Sequence, residues 1–95
     1  MFEIILLSQA EDELSDAYDW YEGQQPALGN RFYKEINYYL SLLEKDPNLF
    51  AIKYTEELRA VSVNKFPYLI IYWINDADKM VYVVSIFHTS RNPKY

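Results

Sequence analysis

Cysteine is absent from this chain, and histidine occurs once. The first absence excludes disulfides and thiolate metal sites and allows a reducing compartment. Together the two disfavour a zinc site, and no cofactor is expected. Long apolar runs are missing as well. The longest, Phe66–Ile74, has nine residues, against the ~20 that a membrane-spanning helix needs. The amino terminus has no basic segment, and Ile4–Leu7 is too short for a signal core. The chain therefore reads as soluble and cytoplasmic, with no membrane association. No repeat, linker or low-complexity stretch divides it, so residues 1–95 read as one domain.

Bases are the other shortage: nine against fourteen acids, a formal charge of −5. That balance disfavours nonspecific binding to nucleic acid. Residues 1–50 carry a net −7 and residues 51–95 a net +2, so an anionic partner is expected to meet the C-terminal half. What the chain has in quantity is apolar and aromatic surface. A domain this small buries only about 60–65% of its unfolded surface, so it needs a dense core. Half of the residues are apolar and ten are tyrosine. Tyrosine combines apolar area with a polar tip, which suits half-buried and interface positions.

The hydrophobic period changes along the chain. Phe2–Leu7 reads as a strand. Ser8 and Glu11 have capping-box spacing, which predicts a helix start with both side chains bonded to backbone N–H groups. Ala10, Leu14, Ala17, Tyr18 and Tyr21 then mark one helix face, and the helix should end between Gly23 and Pro26. The acids Glu11, Asp12, Asp16, Asp19 and Glu22 read as a mostly solvated face. A second helix from Pro26–Leu28 to Pro47 carries the stripe Leu28, Phe32, Ile36, Tyr39, Leu40 and Leu43, and the short connection predicts an antiparallel hairpin. Trp20 and Tyr38 fall off the stripes. Beyond Phe50 the period moves toward two: strands at Ala51–Thr55, Leu58–Val63, Tyr68–Ile74 and Met80–Phe87, then a polar tail His88–Tyr95. The expected fold is α+β, in the order β-α-α-β-β-β-β. A mainly antiparallel sheet has the helix hairpin on one face, and its other face is partly open to a partner.

Several segments together resemble a known family. Ala10, Glu13 and Leu14, Trp20–Tyr21–Glu22 and Pro26–Phe32 are similar to the helix-hairpin signature of the ParE branch of RelE/ParE toxins. Leu58–Arg59 and Phe66–Pro67–Tyr68, with Ile70 and Tyr72, resemble that branch's third and fourth strands, and His88–Pro93 its C-terminal motif. The resemblance covers nearly the whole chain. It implies a microbial-ribonuclease-like fold and the toxin half of a bacterial type II toxin–antitoxin pair, associated with plasmid stabilisation. It also implies an antitoxin whose C-terminal segment wraps the toxin, with a homodimer or hetero-oligomer open. Two targets are implied: DNA gyrase, inhibited by binding, or the ribosome, where messenger RNA is cut. A toxin-fold module without toxicity is the third reading.

Metal-independent RNA cleavage needs proton transfer and cations for the phosphate charge that builds in the transition state. His88 is the candidate proton carrier and Arg59 and Arg91 the candidate phosphate braces. Lys53 and Lys65 add charge, and Tyr82 or Tyr95 offers a ring for stacking. Beside this stand plainer readings: His88 as a structural polar residue, Arg59 paired with Glu56 or Glu57, Arg91 solvated. A binding inhibitor needs no catalytic set; Arg59, Lys65, His88 and Arg91 would then be contacts to the target. The small number of bases favours the binding reading.

Overall fold

The structure, a computed structural model, describes residues 1–49 and 52–90, with Ile52 by its backbone alone. Ala51 of the second expected strand lies outside these residues, as do Arg91 and Tyr95. The elements run β1 (Glu3–Leu6), α1 (Ser8–Gln24), α2 (Leu28–Lys45), β2 (Ile52–Lys53), β3 (Arg59–Ser62), β4 (Tyr68–Asn75) and β5 (Met80–His88). The sheet order is β1-β5-β4-β3-β2. Strands β2 to β5 form the expected antiparallel meander, and β1 lies parallel to β5 at its edge. The order and type of the elements agree with the sequence reading. Some bounds differ: the second strand is Ile52–Lys53 and leaves out Tyr54 and Thr55, β4 runs on to Asn75, and His88 closes β5 and does not begin the tail.

The capping box does not form. Leu7 is the N-cap of α1, with no side-chain cap bond, and Ser8 is already helical. The reason is a shared residue. The Leu7 N–H donates to the Val83 carbonyl at 3.0 Å, the last bond of the β1–β5 ladder, and the Leu7 carbonyl accepts from the Glu11 N–H at 3.0 Å, the first bond of the helix. Strand passes into helix through Leu7 alone, so Ser8 is already helical and cannot take the extended conformation that a capping side chain requires.

The helix hairpin is closed by a side chain that sequence patterning places on the solvated face. Ala27 is left-handed, with φ 73°. The Glu22 carboxylate accepts the Ala27 N–H at 3.0 Å and the Gly29 N–H at 2.9 Å. An acid from the last turn of α1 thus satisfies free donors at the start of α2, where the helix dipole also favours it. Gly29 permits this approach. A Cβ there would stand 2.8 Å from both Glu22 Oε1 and the Tyr18 carbonyl.

The core lies between the hairpin and one face of the sheet. Tyr21, Phe32, Ile36, Tyr39 and Leu43 from the helices meet Val61, Tyr68, Ile70, Tyr72, Val81, Val83 and Ile86 from the strands. Tyr21 and Phe32 pack edge-on against Phe66 at 5.0 and 5.2 Å. Tyr72 is fully buried and donates its hydroxyl to the Pro47 carbonyl at 2.7 Å, which pins the exit of α2 to the sheet. On the opposite sheet face Trp73 and Tyr82 stack at 4.7 Å and stay partly accessible.

The two glycines predict opposite responses to alanine. Gly29→Ala puts a Cβ against Glu22 and the Tyr18 carbonyl, forces α2 away from α1 and should cost about 1–3 kcal/mol. Gly23→Ala, with nothing within 4 Å of the new Cβ and a helical backbone, should gain roughly 0.5–1 kcal/mol. Urea unfolding of the two variants checks both signs.

Candidate functional site

β1 pairs with β5 only as far as Leu6 opposite Val83. Beyond that point α1 crosses over and β5 continues along β4 alone. At the same place β5 carries an irregularity: Ile71 faces Ser85 and Tyr72 faces Val83, leaving Val84 as an extra residue. A bulge of this kind bends its strand and re-aims the groups beside it. Here the re-aimed groups meet one side chain. Glu13 Oε1 accepts the Ser85 hydroxyl and the Ile86 N–H, both at 2.8 Å. The acid takes the place of the missing strand.

Between α1 and this end of β5 lies a cleft of about 490 Å³, lined by Glu13, Asp16, Trp20, Tyr68 and His88 among others. Trp20 is 60% exposed and its ring leans edge-on against Tyr21. His88 is half-buried, with its ring edge-on to Tyr68 at 4.9 Å. Its Nδ1 accepts the Ser90 N–H at 3.2 Å, so the neutral ring carries its proton on Nε2. Two carboxylates and no lysine or arginine line this cleft among the described residues.

The remaining candidates lie elsewhere. Arg59 stands opposite Tyr72, while His88 stands opposite Tyr68. Cross-strand partners share a face, so both point to the helix side. They sit four residues apart along β4, roughly 13 Å at ~3.3 Å per residue. Arg59 is at the end near Asp46, and its charge acts on Tyr72. Its expected pairing with Glu56 is not formed; Glu56 pairs with Lys53 at 3.2 Å, both exposed. Lys65, in the β3–β4 turn, is at the same end of the sheet as His88, since the Thr89 N–H donates to the Pro67 carbonyl at 2.8 Å. It lines a separate cleft with Arg31 and Lys34. Tyr82 belongs to the opposite sheet face. Arg91 and Tyr95 lie outside the described residues.

The described structure thus brings His88 together with Glu13, Asp16 and Trp20, and with neither Arg59 nor Lys65. Glu13 is not visible as a functional position in the sequence. Beyond its place in the family-like set Ala10, Glu13 and Leu14, its signal is a position in the first turns of a helix beginning directly after a strand, where an acid can reach back to the sheet edge. No group of three or more potential metal ligands occurs among the described residues, and no described helix is long and apolar enough to cross a membrane.

A helix hairpin on a five-stranded sheet, with an acidic, aromatic-walled cleft beside the last strand, defines a small α+β module of the RelE/ParE-like class. Residues 4–93 match the family model described as the ParE toxin of the type II toxin–antitoxin system parDE. The chain belongs to that family. Solved structures agree on the fold. A chain of the chromosomal ParDE system from P. aeruginosa is similar with TM-score 0.79 at 16% identity, over 93% of this chain and 96% of that one. A mutant E. coli RelE toxin in complex with an antitoxin RelBc peptide is similar with TM-score 0.65 at 15% identity, over 90% and 81%. The YoeB dimer from S. aureus is similar with TM-score 0.61 at 15% identity, over 90% and 94%. No curated protein matches the chain in sequence.

Two expectations follow from the site's hydrogen bonds. In Glu13→Ala the Ser85 hydroxyl and Ile86 N–H lose their acceptor, which should cost about 1–3 kcal/mol; hydrogen exchange at the Ile86 amide should accelerate more than at the central β4 amides. Burial raises the Tyr72 hydroxyl above its ordinary 10.0, with Arg59 opposing and Asp46 reinforcing the shift. Above pH ~10 the unfolded chain releases this proton first, so the native state loses stability as pH rises toward the folded value. Tyr72→Phe should remove that part of the alkaline slope in denaturant titrations, while costing about 1–2 kcal/mol at neutral pH for the stranded Pro47 carbonyl.

Proposed function

We propose that this toxin acts by binding, with DNA gyrase as its target, and that a cognate antitoxin neutralises it in the cytoplasm. The observation that carries the reading is the charge around His88. A ribonuclease built on that imidazole must hold a phosphodiester whose negative charge grows in the transition state. Glu13 and Asp16 wall the cleft, and no described base enters it. Arg59 is at the far end of β4, opposite Tyr72. An inhibitor that works by contact needs none of these groups to converge. Exposed aromatic rings are what it does need, and Trp20 and Tyr33 provide them on the hairpin, at 60% and 45% exposure. An antitoxin partner is supported by the chain's family and by the ParDE and RelBE systems among its structural relatives.

The test pairs two assays on the purified chain. With gyrase, relaxed plasmid and ATP, supercoiling should fall or cleaved plasmid accumulate as toxin is added. In a reconstituted translation mixture, primer extension should read intact message. Ribosome-dependent cuts that vanish in His88→Ala or Arg91→Ala would overturn the proposal and make the protein an endoribonuclease.

A further inference from the structure

A second cleft, of about 720 Å³, runs between the flank of α2 and the β3–β4 turn. Arg31 and Lys34 stand three residues apart on α2, one turn, and Lys65 faces them from the turn. All three are exposed, and none forms an ion pair among the described residues, where Lys53–Glu56 is the salt bridge present. Glu35 is the one acid in the lining. Three of the seven described bases of a chain with net charge −5 therefore share one cleft. Its floor is apolar: Leu28 and Phe66 are half-buried and packed on the core. Its rim carries Tyr38, 56% exposed and braced edge-on by Tyr39 at 5.3 Å. The two walls are joined, because the Asn64 N–H donates to the Tyr39 hydroxyl at 3.2 Å. That bond sets the position of the turn relative to the helix, so the groove exists before anything enters it.

We infer that this cleft is a docking groove for an acidic peptide segment of a protein partner, one that presents two or three carboxylates beside an apolar side chain. Three cations around an apolar floor match that pattern in number and kind. A nucleic acid fits less well. It brings a charge at every nucleotide, and the acidic face of α1 together with the net −5 opposes its approach. A short acidic segment meets the local cations without laying a long polyanion over the rest of the surface. The inference concerns a different surface from the His88 cleft and holds whichever macromolecule the toxin inhibits.

The experiment is a selection of random dodecapeptides displayed on phage against the immobilised full chain, with the enriched peptides resynthesised and titrated by fluorescence anisotropy. Acid-rich peptides with one large apolar residue should be enriched. Their affinity should weaken as salt rises and fall by about tenfold or more in the Arg31→Glu, Lys34→Glu double variant. Lys45→Glu, away from the groove, should leave it unchanged. Since the reversed residues are exposed, circular dichroism should match the parent; Lys65→Glu supplies an independent variant from the other wall. Enriched peptides without acids, or binding indifferent to these reversals, would overturn the inference. Oligothymidylate that binds more tightly than any peptide, and is lost in the same variants, would assign the groove to nucleic acid instead.

Discussion

The carboxylate of Glu13 occupies the place where a strand is missing, and the arrangement of the end of the molecule that holds the His88 cleft depends on it. β1 covers only the first part of β5 before the chain turns into α1 at Leu7. The uncovered length of β5 has backbone donors that need acceptors, since a buried amide without one costs about 1–3 kcal/mol. Glu13 supplies an acceptor to Ile86 and Ser85 at once, beside the extra residue Val84. This sets the distance and angle of α1 over β5. Trp20, two turns further along α1, and His88, two residues beyond Ile86, then face one cleft as a consequence. A charge engaged in this way is also unavailable for other chemistry: Glu13 marks the cleft as acidic while its Oε1 is already committed to the sheet.

The hairpin follows the same logic at the other end of α1. Glu22 reaches across to the first amides of α2, and Gly29 has no side chain in its way. The pair accounts for the otherwise unfavourable left-handed Ala27, a conformation that costs an L-residue about 1–2 kcal/mol and persists only when its surroundings fix it. The segment Trp20–Tyr21–Glu22 with Pro26–Phe32, on which the family resemblance rests, is thus a physical unit: a buried ring, an acceptor, a tight reversal and a contact without a Cβ.

These two acids also show what is legible in the sequence and what is not. Helix stripes and strand alternation record burial, so the hairpin, the meander and the identity of the core can be read directly: Phe32, Ile36, Tyr39 and Leu43 are buried as their spacing demands. Trp20 and Tyr38 fall off the stripes and are exposed, for the same reason. Polar contacts across elements leave no period. Glu22 has the spacing of a solvated face, and Ser8 with Glu11 the spacing of a cap, because local spacing carries no information about a strand bond that Leu7 already makes. The parallel pairing of β1 with β5 joins the first strand to the last, beyond the reach of any local pattern. Register has the same effect on the candidate site. Alternation correctly gives Arg59 and His88 a face each, but only the pairing of both with β4 shows that they stand at opposite ends of it.

Charge obeys the fold rather than the chain order. Divided by sequence, the acids gather in residues 1–50 and the bases in residues 51–95, which points an anionic partner at the C-terminal half. Folding undoes that division. Arg31 and Lys34, two of the three bases in the acidic half, are carried by α2 to the side where Lys65 projects from the β3–β4 turn. His88, from the basic half, is carried by β5 into a wall of acids contributed by α1. Among the described residues, one end of the sheet therefore offers two clefts of opposite sign on either side of the hairpin. A partner that touches both must present complementary charge in the reverse order, and a simple polyanion cannot do so. That requirement arises from geometry that neither half of the sequence contains alone.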